Sequence, residues 1–133
     1  MRRLLPINLD AALLILRVVL GIIMVYHGWA KVTNLGGTIE GFTGMGIPLP
    51  ALAALFATVA EVGGGLLMLI GALTDIAGLL FAIDMLGAIT FVHAKNGFAV
   101  DKGGFEWPLA LLAMALAIAL AGPGRFAVGR GRT

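Results

Sequence analysis

The sequence predicts an all-α integral membrane protein, a four-helix bundle with both termini in the cytoplasm. Its composition is 60% hydrophobic and 12% charged, which is about half the charged fraction of a soluble domain. The mean hydropathy of +1.05 is carried by four apolar segments, each about long enough to cross a bilayer. Because such a chain has no room for a separate soluble domain, residues 1–133 are predicted to form a single membrane domain.

The first predicted span runs from residue 11 to residue 30. Asn8 or Asp10 stands where a helix N-cap is expected. Two arginines precede the apolar run, as in a signal peptide, but the run is too long and contains Arg17 where a cleavage site would be expected. We therefore predict that this segment stays in the protein as a helix.

The middle of the chain holds a predicted loop and a helical hairpin. The segment from Asn34 to Pro50 is rich in glycine and proline, which predicts a loop at the membrane interface. The second span covers residues 51–70 and ends at Gly71, and the third covers residues 75–93, with Thr74 or Asp75 as its cap. The short turn between them predicts that the two helices are antiparallel neighbours.

The orientation is predicted from the fourth span and from the basic residues. Residues 105–122 form the last apolar segment, and Gly122–Pro123–Gly124 is a strong helix stop. Four spans place both termini on one side of the membrane. Five of the nine basic residues are arginines near the two ends, so the positive-inside rule places that side in the cytoplasm. The same distribution explains the basic balance without a nucleic-acid partner. These arginines are Arg2, Arg3, Arg125, Arg130 and Arg132.

Three ionisable residues, Arg17, Glu61 and Asp84, lie in the middle of predicted spans. A charge at the centre of a spanning helix costs about 2.5–3.5 kcal/mol on insertion scales, so such residues usually have a function. From the helical rise, Arg17 lies roughly 9 Å and each acid roughly 14 Å from a membrane face, and an arginine side chain can bridge that difference. We therefore predict one buried polar cluster. It either fixes the register of the helices as an ion pair or carries a proton or a ligand.

A second polar group is predicted near the outer end of the bundle. It consists of His27, Lys31, His93, Asn96 and Glu106. The histidines either make interfacial hydrogen bonds or belong to a binding site. Two histidines and a glutamate could hold zinc or iron, but they come from distant segments without the spacing of metal ligands, so no metal site is predicted.

The predicted third span contains a geometric conflict. Asp84 and His93 are nine residues apart, which places them on opposite sides of a straight helix. Either the helix is interrupted before His93, or one of the two side chains faces away from the bundle interior.

The sequence is similar to the DoxX family of small bacterial four-helix membrane proteins over nearly its whole length. The order and spacing of its motifs produce the resemblance, since no single motif is specific. These motifs are Leu16–Arg17, His27–Gly28 with Lys31, Phe42–Gly44–Gly46–Pro48, Glu61 with Gly63–Gly64–Gly65, Gly71–Leu73–Thr74, Asp84–Met85–Leu86, His93 with Asn96–Gly97–Phe98, Gly104–Phe105–Glu106 and Gly122–Pro123–Gly124–Arg125.

The resemblance implies a role beside the quinone pool. The family is named after a subunit associated with a terminal quinol oxidase or a thiosulfate:quinone oxidoreductase in archaea. A mycobacterial relative resembles a membrane anchor that assembles with a superoxide dismutase and a sulfurtransferase. By this resemblance the chain is a multi-pass protein of the bacterial inner membrane, a subunit or anchor of an oxidoreductase system, with quinone as a candidate cofactor and other membrane subunits as partners.

Two alternatives stay open. The chain has no cysteine, so it cannot itself carry a dithiol couple or a thiolate-held cluster, and any redox chemistry needs a bound cofactor or a partner. It is therefore at most one subunit of a membrane oxidoreductase. The first alternative is a non-catalytic structural or assembly subunit of a larger membrane complex. The second is a small oligomeric transporter or channel that uses the buried acids as its proton or cation site.

Overall fold

The computed structural model describes residues 2–129, and this part of the chain consists of helices and connections without a strand. Three helices are long and apolar enough to cross a membrane, and a fourth apolar helix is shorter. The predicted all-α class is thereby confirmed, and the apolar helices are compatible with a membrane protein. The number of spans and the side of the termini stay predictions. Arg130 and Arg132, which support the orientation, lie outside the described residues. The helices are α1 (Leu9–Val32), α2 (Leu35–Gly44), α3 (Pro50–Ile70), α4 (Thr74–Asn96) and α5 (Glu106–Ala121).

The helix ends follow the sequence signals in part. The Asn8 side chain caps α1 by accepting from the Ala11 amide at 3.0 Å. Gly71 adopts a left-handed conformation, with φ of 76°, and ends α3 as predicted. At the start of α4, by contrast, Leu73 occupies the capping position with a φ of 48°, and neither Thr74 nor Asp75 serves as the cap.

The segment predicted as a loop between residues 34 and 50 contains the ten-residue helix α2, so that prediction was wrong. The Asn34 side chain caps this helix by accepting from the Gly37 amide at 3.2 Å. The hydroxyls of Thr38 and Thr43 each donate to the backbone carbonyl four residues earlier. The glycines therefore reduce the helical preference of this segment without preventing a capped helix that packs against the start of α3.

Small residues allow the long helices to approach closely. The helix α1 packs against α3, and α4 packs against α5. A Cβ atom added at Gly21 of α1 would lie 3.0 Å from the carbonyl oxygen of Gly65, and one added at Gly78 of α4 would lie 2.6 Å from that of Ala115. Because a larger residue would push these backbones apart, the glycines set the distance between the helices. The buried core between them includes Leu20, Met24, Met68, Phe81 and Ile118.

Two of the long helices contain a π-helical turn. In α3 the turn covers Val59–Gly63 and carries Glu61, and in α4 it covers Ile89–His93. A π-turn closes its hydrogen bonds one residue later than an α-turn does, so the residues after it are rotated relative to those before it. The turn in α4 resolves the predicted conflict, because Asp84 and His93 both line the same cavity.

Candidate functional site

Arg17 is 1% exposed and lies at the end of the bundle where α3 stops. Its guanidinium donates only to backbone carbonyls among the described residues. On α3 these are the oxygens of Met68, at 3.0 Å, and Leu69, at 3.4 Å. On the segment after α5 they are the oxygens of Pro123, at 2.7 Å, and Phe126, at 3.0 Å. Arg17 thus joins three parts of the chain.

The predicted contact of Arg17 with Glu61 or Asp84 was wrong, and the end of α3 explains why. The last carbonyls of a helix have no partner within it and carry partial negative charge. Among those of α3, the Ile70 carbonyl accepts from the Val128 amide at 3.0 Å, and Arg17 takes the two just before it. The carbonyls therefore satisfy the cation, so no carboxylate is needed.

Both acids instead lie near Lys31, which was predicted to belong to the outer group. The Lys31 Nζ atom is 2.8 Å from Glu61 Oε1, with side-chain exposures of 23% and 3%. The Asp84 carboxyl group lies beside that of Glu61, and its Oδ2 atom is buried without a hydrogen-bond partner among residues 2–129. The structure thus forms a cluster of one ammonium and two carboxyl groups, which we call the Lys31 cluster: Lys31, Glu61 and Asp84.

The Lys31 cluster forms part of the wall of a cavity of about 500 Å³. His27 and His93 line the same cavity, so two histidines of the predicted outer group do share a space. Most of the remaining wall is apolar and includes five aromatic rings, those of Phe42, Phe56, Phe81, Phe91 and Trp107. The cavity therefore has one polar wall and otherwise aromatic and aliphatic walls, a pattern typical of sites for small amphiphilic molecules.

The other predicted outer residues hold the loop beside the cavity. His93 Nδ1 donates to the Gly103 carbonyl at 2.8 Å, which leaves Nε2 of the neutral ring as an acceptor. Asn96 Nδ2 donates to the same carbonyl at 3.1 Å. Glu106 Oε2 accepts from the Val100 amide at 2.9 Å. Asn96 and Glu106 thus stabilise the loop. The loop in turn holds the His93 ring in place at the edge of the cavity.

Sequence reasoning missed two features of this site. The first is the wall formed by Phe42 and Met45 of α2 and its end, which the predicted loop did not provide. The second is the pairing of Lys31 with Glu61. The sequence signal for it is Gly28, one turn before Lys31, because a small residue allows another helix to come close at that level. The structure shows that this helix is α3, since a Cβ atom at Gly28 would lie 2.8 Å from the Glu61 Cβ.

Comparison with known proteins identifies the family. Residues 12–94 match the DoxX family. The chain belongs to the DoxX family. This DoxX match extends from α1 almost to the end of α4, so it includes the whole Lys31 cluster, both histidines and α2.

Individual DoxX relatives are similar over most of their length. The chain is 36% identical to the Bacillus subtilis protein CatD, named as a candidate oxidoreductase, over 115 residues that make up 86% of this chain and 82% of CatD. It is 32% identical to the Escherichia coli inner membrane protein YqjF, over 91% of this chain and 92% of YqjF. It is 29% identical to the Escherichia coli inner membrane protein YphA, over 89% of this chain and 88% of YphA. No solved structure matches this DoxX protein.

Proposed function

We propose that this DoxX protein is a subunit of an inner-membrane oxidoreductase system and that its cavity binds the head group of a quinone. The observation that supports this most directly is the cavity itself, in which the Lys31 cluster and His93 face a space otherwise lined by aromatic and aliphatic side chains. The name of CatD suggests the same class of reaction, and the names of YqjF and YphA suggest the same membrane.

The residues of the cavity fit such a head group. A quinone has a flat apolar ring, which suits the aromatic walls, and two carbonyl oxygens that accept hydrogen bonds. The ammonium of Lys31 has three donors, one of which is directed to Glu61, so it has capacity for a ligand. The Asp84 carboxyl group is the second polar group without a complete set of partners. The Lys31 ammonium would donate to one oxygen of the head group, and the Asp84 carboxyl group, when protonated, would donate to the other.

A bound quinone supplies the two-electron chemistry, and the chain supplies binding and proton handling. Reduction of a quinone to a quinol takes up two protons along with two electrons. Asp84 and His93 are suited to exchange these protons, because a carboxyl group and an imidazole acceptor both border the cavity. The electrons come from a partner subunit in this proposal, since the chain has no cysteine to carry a redox couple.

The proposed topology follows the charge distribution. In this proposal the three long helices α1, α3 and α4 and the 16-residue α5 all cross the inner membrane. The arginine-rich ends and Arg17 then lie at the cytoplasmic side, and the cavity lies toward the periplasmic side. Reporter fusions at residue 129 and in the loop between α4 and α5 test this, because a periplasmic signal at residue 129 would overturn it.

The quinone proposal is tested by analysis of what the protein retains in its native lipid. The protein and an Asp84→Leu variant, which keeps the branched shape but has no hydrogen-bonding group, are extracted in polymer-bounded membrane discs, and the quinone-to-phospholipid ratio is measured by mass spectrometry. Asp75→Leu serves as the matched control, because Asp75 is an exposed acid at the far end of the same helix. We expect enrichment over whole membrane for the protein and the control, and loss of enrichment for Asp84→Leu. Equal ratios in all samples would contradict the proposal.

A non-catalytic assembly subunit is the second candidate, and α5 provides an observation for it. Ala113, Ala117 and Ala121 recur at four-residue spacing and are exposed on the outer face of this helix. Small residues on a membrane helix allow a second helix to approach closely. Under this proposal Ala113→Leu and Ala117→Leu release a partner subunit in co-purification while the ligand content stays the same.

A further inference from the structure

We infer that the cavity opens sideways into the bilayer, across the outer face of α4, and that its ligand is a lipid-soluble molecule whose tail lies in this opening. This inference rests on the proposed function, because it concerns the same cavity, and it defines the ligand as a molecule with a polar head and an apolar tail. The opening is formed by Ile83, Gly87 and Phe91, which we call the α4 opening.

The exposure of these residues places the opening on the outside of the bundle. Ile83, Gly87 and Phe91 follow one another at four-residue spacing, so they lie along one face of α4. All three line the cavity, yet Ile83 is 57% and Phe91 is 39% exposed. Residues that border a cavity and the outer surface at once mark a point where the two connect. Met45 and Trp107 meet the same criterion, so the cavity also reaches the surface near the end of α2 and the start of α5.

The position of the opening along α4 indicates that it faces lipid and not water. Gly87 lies 13 residues after Thr74, which is roughly 20 Å along the helix. When α4 spans a hydrocarbon layer of about 30 Å, this position lies within that layer. The neighbouring exposed side chain of Leu86 is also apolar, as expected of a surface in contact with acyl chains. A molecule that uses this opening therefore has to dissolve in the bilayer.

Gly87 keeps the opening clear. A Cβ atom added there would meet no atom within 4 Å, so the glycine borders open space and is not required by close helix packing. This distinguishes it from Gly78 of the same helix, where an added Cβ would meet the backbone of α5. Glycine is a poor helix former, and no close backbone contact accounts for its presence at residue 87.

The polar groups lie behind the opening. Asp84 is one turn before Gly87 on the same face of α4, and its Oδ2 atom is buried. Glu61 and Lys31 form the wall beside it. A ligand whose tail passes Gly87 thus brings its head group to Asp84, which matches the division of the cavity into polar and apolar walls.

Fluorescence quenching in vesicles tests the inference. The two native tryptophans are replaced by phenylalanine, and Phe56→Trp places a reporter on the part of the cavity wall that α3 forms. The protein is reconstituted into vesicles of phosphatidylethanolamine and phosphatidylglycerol. The quenchers are phospholipids with brominated acyl chains, a quinone with a long isoprenoid tail, and iodide in water.

The test variant is Gly87→Leu, which fills the opening, and the control is Gly36→Leu. Gly36 also borders open space, but it lies on α2 away from the cavity wall. We expect brominated chains and the tailed quinone to quench the reporter more than iodide does. We expect Gly87→Leu to reduce both lipid-phase effects at least threefold, and Gly36→Leu to leave them unchanged. Should Gly87→Leu fail to fold, Phe91→Ala widens the same opening and increases both effects.

The outcomes separate this inference from the proposed function. Quenching by brominated chains that is weaker than quenching by iodide, or that neither Gly87→Leu nor Phe91→Ala changes, would overturn the lateral opening. If brominated chains behave as expected but the quinone quenches no more than its concentration in the bilayer explains, the lateral opening stands and the quinone proposal fails. If quenching by the quinone is saturable but is changed by neither Gly87→Leu nor Phe91→Ala, the quinone proposal stands and the lateral opening fails.

Discussion

Two cations on one face of α1, Arg17 and Lys31, have opposite kinds of surroundings. Arg17 is fully buried and donates to four backbone carbonyls from α3 and from the segment after α5. Lys31 is partly exposed, pairs with the Glu61 carboxylate and borders the cavity. One end of the bundle is thus closed by a cation whose hydrogen-bond partners, within residues 2–129, are all backbone carbonyls. The other end is open, with a cation whose partners are ionisable side chains.

The difference teaches how to interpret a buried charge in a membrane helix. The planar guanidinium has five donors in a fixed arrangement, which suits a set of carbonyls held in place by helix ends. An ammonium is a compact charge on a flexible stem, and it can exchange one acceptor for another. Arg17 therefore stabilises the fold, whereas Lys31 and its two acids keep hydrogen-bonding capacity for a ligand.

The largest effect is expected from Arg17→Met. This change leaves the carbonyls of Met68, Leu69, Pro123 and Phe126 without their buried donor, and we expect it to lower the free energy of unfolding by about 4–5 kcal/mol. Thermal unfolding in detergent, followed by circular dichroism, measures it. Arg17→Lys is the control, since it keeps the charge but not the planar set of five donors. Its free energy of unfolding should lie between those of the unchanged protein and Arg17→Met. Equal stability of Arg17→Met and Lys31→Met would remove the contrast between the two ends.

Lys31→Met is expected to destabilise the protein by about 3 kcal/mol, because it leaves the Glu61 carboxylate buried without its cation. Glu61→Met should cost less, since the partly exposed ammonium of Lys31 can turn toward water. The double change of Lys31 and Glu61 to methionine should recover most of the loss. Urea unfolding of the four proteins forms a double-mutant cycle. If the two single losses simply add in the double variant, the ion pair is not a coupled unit.

Asp84→Leu is expected to change stability by no more than about 1 kcal/mol, because leucine has the same branched shape and Asp84 Oδ2 has no partner to lose among residues 2–129. Its effect should appear in ligand retention instead. Measuring melting temperature and retained quinone on the same sample separates the two. A large drop in melting temperature with unchanged quinone would assign Asp84 to the fold, like Arg17.

The smallest effect is expected from Asp10→Ala. The Asp10 side chain accepts from the Arg125 amide at 2.9 Å and so helps to hold the segment after α5 at the closed end. Loss of this exposed hydrogen bond should cost about 0.5–1.5 kcal/mol. Hydrogen exchange of the Arg125 amide reports it directly. Unchanged protection there would show that the other contacts of this segment, including those with Arg17 and the end of α3, hold it without Asp10.

Patterns that depend on side-chain type predicted much of this molecule. Hydropathy gave the membrane class and the apolar helices, Gly71 ended α3, and the burial of Arg17 and Glu61 followed from their positions in apolar runs. The partner of Arg17 could not be predicted in this way, because it is a set of carbonyls. Every residue carries a carbonyl, and only the folded helix ends show which of them lack partners.

Two further features of the structure could not be recognised from the types of side chain in the sequence. The π-turns at Val59–Gly63 and Ile89–His93 depend on a single shift in the hydrogen-bond pattern, which leaves the apolar composition of a helix unchanged. The helix α2 was hidden by its glycines, although Asn34 provides its cap. Both features turn side chains toward the cavity. The candidate site was therefore harder to predict than the helices that carry it.

The hydrogen bonds of Arg17 also determine when the protein can finish assembling during its synthesis. Its partners Pro123 and Phe126 are 106 and 109 positions later in the chain. At about 5–20 residues per second, a ribosome takes roughly 5–20 s to reach them after Arg17. Until then, the carbonyls of Met68 and Leu69 are the only two of its four partners that the nascent chain contains. A chain truncated after residue 121 should thus insert and then be degraded, and pulse-chase labelling would show whether it is.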